Sequence, residues 1–100
     1  MTINKNAEGE KLTVSLVGRL DTTTAPDLEA ELKSALDGIK ELVFDLSSVE
    51  YISSAGLRVL LSAHKSMNSA GGSMIIKGAN EEIMEIFDVT GFIDILNIES

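Results

Sequence analysis

The sequence predicts an α/β domain with a mixed, mostly parallel β-sheet, an antiparallel strand at one edge and helices packed against it, in the order ββαβαβαβ. Short apolar segments suited to strands alternate with longer ones whose apolar residues recur at helical spacing, the pattern of βαβ units joined by right-handed crossovers. Each helical segment has its own start and stop residues. The first two strand-like segments are separated only by Glu8-Gly9-Glu10, a turn that folds them into an antiparallel hairpin.

Taking the elements in order, Thr2 to Ala7 forms a short alternating first strand. In the second, Leu12, Val14 and Leu16 alternate with Lys11, Thr13 and Ser15, which buries one face. Gly18-Arg19-Leu20-Asp21 closes that strand, and Thr22-Thr23-Thr24 leads to Pro26, whose missing N–H costs nothing in a first helical turn. Thr24 or a neighbour is the expected N-cap. Leu28, Leu32, Ala35 and Leu36 give the first helix its buried stripe, with Asp27, Glu29, Glu31 and Lys33 between them and Gly38 as the stop. Leu42-Val43-Phe44-Asp45-Leu46 is nearly continuous and apolar, as a central parallel strand requires.

The polar stretch from Ser47 to Gly56 reads as a loop that opens into a second helix, running from near Ser54 to about Ser69 with Leu57, Leu60, Leu61 and His64 on one face. Ala70-Gly71-Gly72 punctuates, and Met74-Ile75-Ile76 is the next strand. Asn80 caps a third helix in which Ile83, Ile86 and Phe87 face inward and Glu81, Glu82, Glu85 and Asp88 face solvent. Gly91 ends it, and Ile93 to Ile98 supplies the last strand. Residues 1–100 form one domain, since 100 residues hold one hydrophobic core and one functional surface.

Hydrophobic residues at 44% and charged residues at 24% fit a chain that folds alone. Sixteen acidic against eight basic residues give a net charge of -8, which repels nucleic acid and anionic membrane and favours a basic protein partner. With three Phe, one Tyr, no Trp and no Lys/Arg run, the footprint of a nucleic-acid binder is missing. Absence of cysteine excludes disulfides and thiolate metal sites and sits most easily with a reducing cytoplasm. The N-terminus lacks the pattern of a secretory signal, and no apolar run approaches a membrane span of about 20 residues.

In a parallel sheet the functional loops gather at the carboxyl ends of the strands, here Gly18 to Thr24, Ser47 to Ala55 and Gly78 to Asn80. Ser53-Ser54-Ala55-Gly56 stands at a strand-to-helix turn, where a hydroxyl is exposed and the first helical N–H groups are unpaired. One of the two serines caps the helix, or Ser54 carries a phosphate that the helix N-terminus supports; both hold together. Gly56 inside the first turn weakens the helix and hints at a close approach to its backbone. Asp21 and Asp45 could flank this loop, with turn capping by Asp21 and an exposed, strand-end Asp45 as the expected outcome. His64 lacks the partners of a zinc site or of a nucleophile-and-base pair, and neither a dinucleotide nor a P-loop motif is present. A hydrolase using Ser54 and His64 is the enzymatic alternative.

The order of elements and the segment Val49-Glu50-Tyr51-Ile52-Ser53-Ser54-Ala55-Gly56-Leu57-Arg58-Val59-Leu60-Leu61 resemble the STAS-domain family of anti-sigma factor antagonists. Gly18-Arg19-Leu20-Asp21, Phe44-Asp45-Leu46 and Asp88-Val89-Thr90-Gly91-Phe92 extend the resemblance over nearly the whole chain. It implies a cytoplasmic regulatory module of bacteria that is not an enzyme and takes no cofactor. The unmodified antagonist binds an anti-sigma factor that is also a serine kinase and so frees a sigma factor. Phosphorylation of the loop serine abolishes binding, and a serine phosphatase restores it.

Carried over by motif, the acceptor is Ser54, with Ser53 as a second acceptor, and the partner-binding residues are Asp21, Thr22, Ser53, Ser54, Ala55, Gly56 and Arg58. Many members have Asp directly before the acceptor and Ser or Thr directly after it, whereas this chain has Ser53 and Ala55. The resemblance also implies that the C-terminal helix of many members is short or absent here. The alternative within the family is a constitutive scaffold domain of a larger signalling or lipid-transport assembly without a phospho-switch.

Overall fold

Alternation along the second strand and continuity along the third place one sheet face in the core, and a computed structural model of the chain, which describes residues 1–99, shows how far each strand runs. The elements are β1 (Thr2–Glu8), β2 (Lys11–Leu20), α1 (Ala25–Ala35), β3 (Glu41–Ile52), α2 (Ser54–Ser69), β4 (Ser73–Lys77), α3 (Glu81–Val89), a 3-10 turn (Phe92–Asp94) and β5 (Asn97–Ile98). The five strands lie in the order β1-β2-β3-β4-β5. β1 runs antiparallel to β2, from Thr2↔Val17 to Glu8↔Lys11, and every other neighbouring pair is parallel. This is the predicted order.

Because each crossover steps one strand in the same direction and crossovers are right-handed, all three helices fall on one face of the sheet. The burial pattern agrees. Leu12, Val14, Leu16 and Leu20 of β2, Leu42, Phe44 and Leu46 of β3, and Met74 and Ile76 of β4 meet Leu28, Leu60, Met67, Ile83 and Phe87 of the helices in one cluster. On the opposite face Thr13, Ser15, Val43, Asp45 and Ile75 are only half-buried.

Two elements differ from expectation. The stretch Ser47 to Ile52, expected as loop, is the second half of β3. It pairs with the end of β2 through Val17↔Ser48, Gly18↔Val49, Arg19↔Tyr51 and Leu20↔Ile52, with register irregularities between Ser15 and Val17 and between Gly18 and Arg19. These break the two-residue alternation, so Leu46, Val49 and Ile52 are buried at three-residue steps. The last strand is shorter than expected: Gly91 at φ 79° leads into the 3-10 turn, which takes Phe92 to Asp94 out of the sheet and leaves only Asn97–Ile98 paired.

Within α2 the buried face is Gly56, Leu57, Val59, Leu60, Ala63 and Met67, and Leu61 is half-buried. Among the described residues no helix is long and apolar enough to cross a membrane. Replacing Phe44, which is fully buried in the central strand, by Ala removes about 3–5 kcal/mol of stability. The change Val89→Ala, at a position 76% exposed, stays within about 0.5 kcal/mol. Urea unfolding of the two variants checks the contrast.

Candidate functional site

Ser53 is the hinge between β3 and α2. Its φ of -92° and ψ of 174° are still extended, its backbone N–H donates to the Leu20 carbonyl at 2.9 Å, and its carbonyl accepts the Leu57 N–H at 3.0 Å. The Ser53 hydroxyl oxygen accepts from the Gly56 N–H at 3.3 Å, so Ser53 is the N-cap. Ser54 is therefore the first helical residue; it is exposed, and its hydroxyl has no hydrogen-bond partner among the described residues. The choice between the two serines is resolved by backbone geometry: one caps and the other stays uncommitted.

Gly56 is buried because α2 comes down directly on the end of β2. A Cβ at this position would lie 2.7 Å from Leu20 Cγ and 2.9 Å from the Leu20 carbonyl oxygen. The close approach hinted at by a glycine in the first turn is thus the protein's own Leu20, side chain and carbonyl together.

The turn after β2 is organised by Asp21. Its Oδ1 accepts from the Thr23 hydroxyl at 2.7 Å, the Thr23 N–H at 3.0 Å and the Thr24 N–H at 3.2 Å. The Thr23 hydroxyl is the leading cause that holds the Asp21 carboxyl below its ordinary range, with the backbone N–H groups adding to it. Thr24 precedes α1 without a side-chain bond into the helix; its hydroxyl accepts from the Asp21 N–H at 2.9 Å and donates to the Arg19 carbonyl at 2.8 Å. Thr24 is the N-cap by position, as expected, but its side chain locks the preceding turn instead of capping the helix. Thr22 is exposed in the same turn, Ala55 is half-buried, and Arg58 is exposed one helical turn beyond Ser54.

Asp45 is not an exposed strand end. It sits within β3, half-buried on the helix-free face, and accepts from the Ser47 hydroxyl at 2.7 Å and the Ser47 N–H at 3.0 Å. The Ser47 hydroxyl, then its N–H, and to a lesser extent Lys77 hold this carboxyl low as well. With both carboxylates stabilised in the charged form by neighbouring hydroxyl and backbone donors, neither has the raised pKa of a general acid. His64 is half-buried, its Nε2 3.2 Å from the Asn68 side-chain nitrogen. Ten residues along one helix put it about 15 Å from Ser54, too far to take its proton. Among the described residues no group of three or more His, Cys, Asp or Glu is placed to hold a metal ion.

Sequence reading placed Arg19 and Tyr51 in the loops of this edge but missed their contact. Paired across β2 and β3, they stack with the guanidinium carbon 4.6 Å from the ring centroid, and Arg19 Nε lies 3.7 Å from Asp21 Oδ2. Tyr51 stays 39% exposed. Asn80, the α3 cap, reaches back to the Val49 carbonyl at 3.3 Å, which brings Glu50, Glu81 and Glu82 around a shallow depression beside the end of β3. No signal in the sequence links residues that far apart.

Gly56→Ala costs about 1–3 kcal/mol through overpacking against Leu20. That outweighs the roughly 0.5–1 kcal/mol Ala gains in helix propensity, so the urea midpoint falls. The folded-state pKa of Asp21 lies below its ordinary 3.8, so its contribution is complete above that value and is lost as pH falls through the folded pKa. Between about pH 6 and about pH 2, wild-type stability therefore drops more steeply than that of Asp21→Asn, measured as urea midpoint against pH.

The profile of the STAS domain matches residues 2–100. BtrV of Bordetella bronchiseptica is 35% identical over 88 residues, spanning 87% of this chain and 76% of its own. The anti-sigma-B factor antagonist of Bacillus subtilis is 29% identical over 102 residues, spanning 100% of this chain and 94% of its own. The fold is shared with the anti-sigma factor antagonist SpoIIAA in its unphosphorylated form, with a TM-score of 0.79 at 13% identity over 99% of this chain and 88% of that one. SpoIIAA, a Bacillus cell fate determinant, has also been solved in its phosphorylated form, with a TM-score of 0.78 at 14% identity over 99% and 92% of the two chains. This chain belongs to the STAS domain family.

Proposed function

We propose that the chain is an anti-sigma factor antagonist controlled by phosphorylation of Ser54. The unmodified protein binds an anti-sigma factor that is also a serine kinase, and the bound kinase releases its sigma factor. The reading is supported by relatives named as anti-sigma factor antagonists that match nearly the whole chain. The single observation that carries the acceptor is the division of labour between the serines. Ser53 is held as the helix cap, while Ser54 presents a free, exposed hydroxyl on the first residue of α2.

In the switching step the Ser54 hydroxyl oxygen attacks the γ-phosphorus of a nucleoside triphosphate bound by the kinase. The new bond joins that oxygen to phosphorus, the bond to the bridging oxygen breaks, the diphosphate leaves, and the hydroxyl proton passes to a base of the kinase or to solvent. The product adds about 1.5 to 2 negative charges at the helix N-terminus, where the unpaired N–H groups and the positive end of the dipole support it. The fold therefore survives the modification, in keeping with the phosphorylated form of SpoIIAA on the same scaffold. The interface does not survive it, because a desolvated charge without a partner costs several kcal/mol.

Asp21, Thr22, Ser53, Ser54, Ala55 and Arg58 form the proposed docking surface, extended by Tyr51 on its Arg19 support, while Gly56, expected among them, is buried beneath it against Leu20. A serine phosphatase that hydrolyses the phosphate resets the switch. The domain itself acts by binding and carries out no catalysis.

Incubation with the candidate kinase and ATP, followed by mass spectrometry, locates phosphate on Ser54. Ser53→Ala loses about 1 kcal/mol of capping and is still modified at Ser54. In calorimetric titrations Ser54→Ala binds the kinase as wild type does, Ser54→Asp binds at least about tenfold more weakly, and the phosphorylated chain on the order of 100-fold more weakly. Equal binding by all three forms overturns the switch and favours a constitutive scaffold.

A further inference from the structure

We propose that the phosphate on Ser54 closes onto Arg58, so that one modification both adds a dianion to the docking surface and withdraws from it the cation the partner meets. The inference rests on the reading of Ser54 as acceptor. Its starting point is a charge pattern in α2 that neither of the other helices shares.

The protein carries 16 acidic residues against eight basic ones, yet α2 from Ser54 to Ser69 contains no acidic residue at all. Its first turn lacks the carboxylate that commonly complements a helix N-terminus. Arg58 therefore has no acid within reach on its own helix: the positions three and four residues away are Ser54, Ala55, Leu61 and Ser62. The ion pairs among the described residues are Lys5 with Glu31 and Arg19 with Asp21, so Arg58 is an exposed cation without a counter-charge.

Ser54 and Arg58 stand at i and i+4, both exposed, which places their Cβ atoms about 5–6 Å apart on one helix face. An anion N-terminal to a cation is the favourable orientation for such a pair. A guanidinium offers parallel N–H donors that match two phosphate oxygens. The other charges at this edge cannot do the same. Arg19 is stacked on Tyr51 beside Asp21, Lys77 lies at the end of β4 near Asp45, and Lys65 and His64 are about 15 Å or more along α2. Asp21, Glu50, Glu81 and Glu82 are acidic and repel a phosphate. Arg58 is the one cation within a helical turn of the modified serine on α2, and it is not engaged elsewhere among the described residues.

The test installs phosphoserine at position 54 during translation, so its result does not depend on any kinase, and follows the phosphate by phosphorus NMR against pH. A free phosphoserine titrates near 6. The Arg58→Gln protein is expected to titrate higher than wild type by on the order of 0.2–0.4 units. Arg58→Lys restores part of the difference, and Lys65→Gln, which removes an equal charge farther along α2, leaves wild-type behaviour. Identical titration of wild type and Arg58→Gln overturns the pair, as does an equal shift in Lys65→Gln. In the unmodified protein Arg58→Gln weakens kinase binding by about three- to tenfold. If the phosphorylated wild type binds the kinase as tightly as the unmodified chain, the withdrawal of Arg58 falls together with the reading of Ser54, whereas equal titrations overturn the pair alone.

Discussion

The backbone of Leu20, at the end of β2, is where this structure is tied together. Its carbonyl accepts the Ser53 N–H, and the same residue lies so close to the first turn of α2 that only a glycine fits opposite it. A helix that must approach this closely can begin at one place only, which fixes the cap at Ser53 and the first helical residue at Ser54. The position of the hydroxyl that faces solvent is thus set by packing two residues farther on. A shift of α2 by one residue would exchange the serines and bury the exposed one in a capping bond.

Electrostatics follows the same division. The acids of this chain are gathered in its turns, on α1 and α3 and along β3, and two of them, Asp21 and Asp45, are held charged by hydroxyl and backbone donors two or three residues away. Their hydrogen bonds are local and consume the carboxylates as structural parts. α2, by contrast, enters the same edge with an uncommitted hydroxyl and an uncommitted guanidinium. In a protein of net charge -8 this helix carries no carboxylate along its length, in contrast to α1 and α3.

Much of this was legible in the sequence, because helix periodicity, glycine stops and the caps at Asn80 and in the Ser53-Ser54 pair are local signals. What was not legible depended on pairing at a distance. Ser47 to Ile52 looked like a loop because the stretch is polar and lacks strand alternation; its buried residues fall three apart through the irregular pairing with β2. Ile93 to Ile95 looked like a strand, and the turn that follows Gly91 removes it from the sheet. The stack of Arg19 on Tyr51 joins residues brought together by register alone. Which serine caps was left open by composition, since both are good caps, and was decided by the fit of Gly56 against Leu20.

The strand order β1-β2-β3-β4-β5 never reverses, and this has a consequence for what the carboxyl edge can hold. Open α/β sheets form a ligand crevice where successive crossovers depart to opposite faces and the loops diverge. Here the chain leaves β2, β3 and β4 toward the same face each time, so neighbouring loops lie side by side and close the gap between them. The edge becomes a continuous rim with no crevice of the switch-point kind.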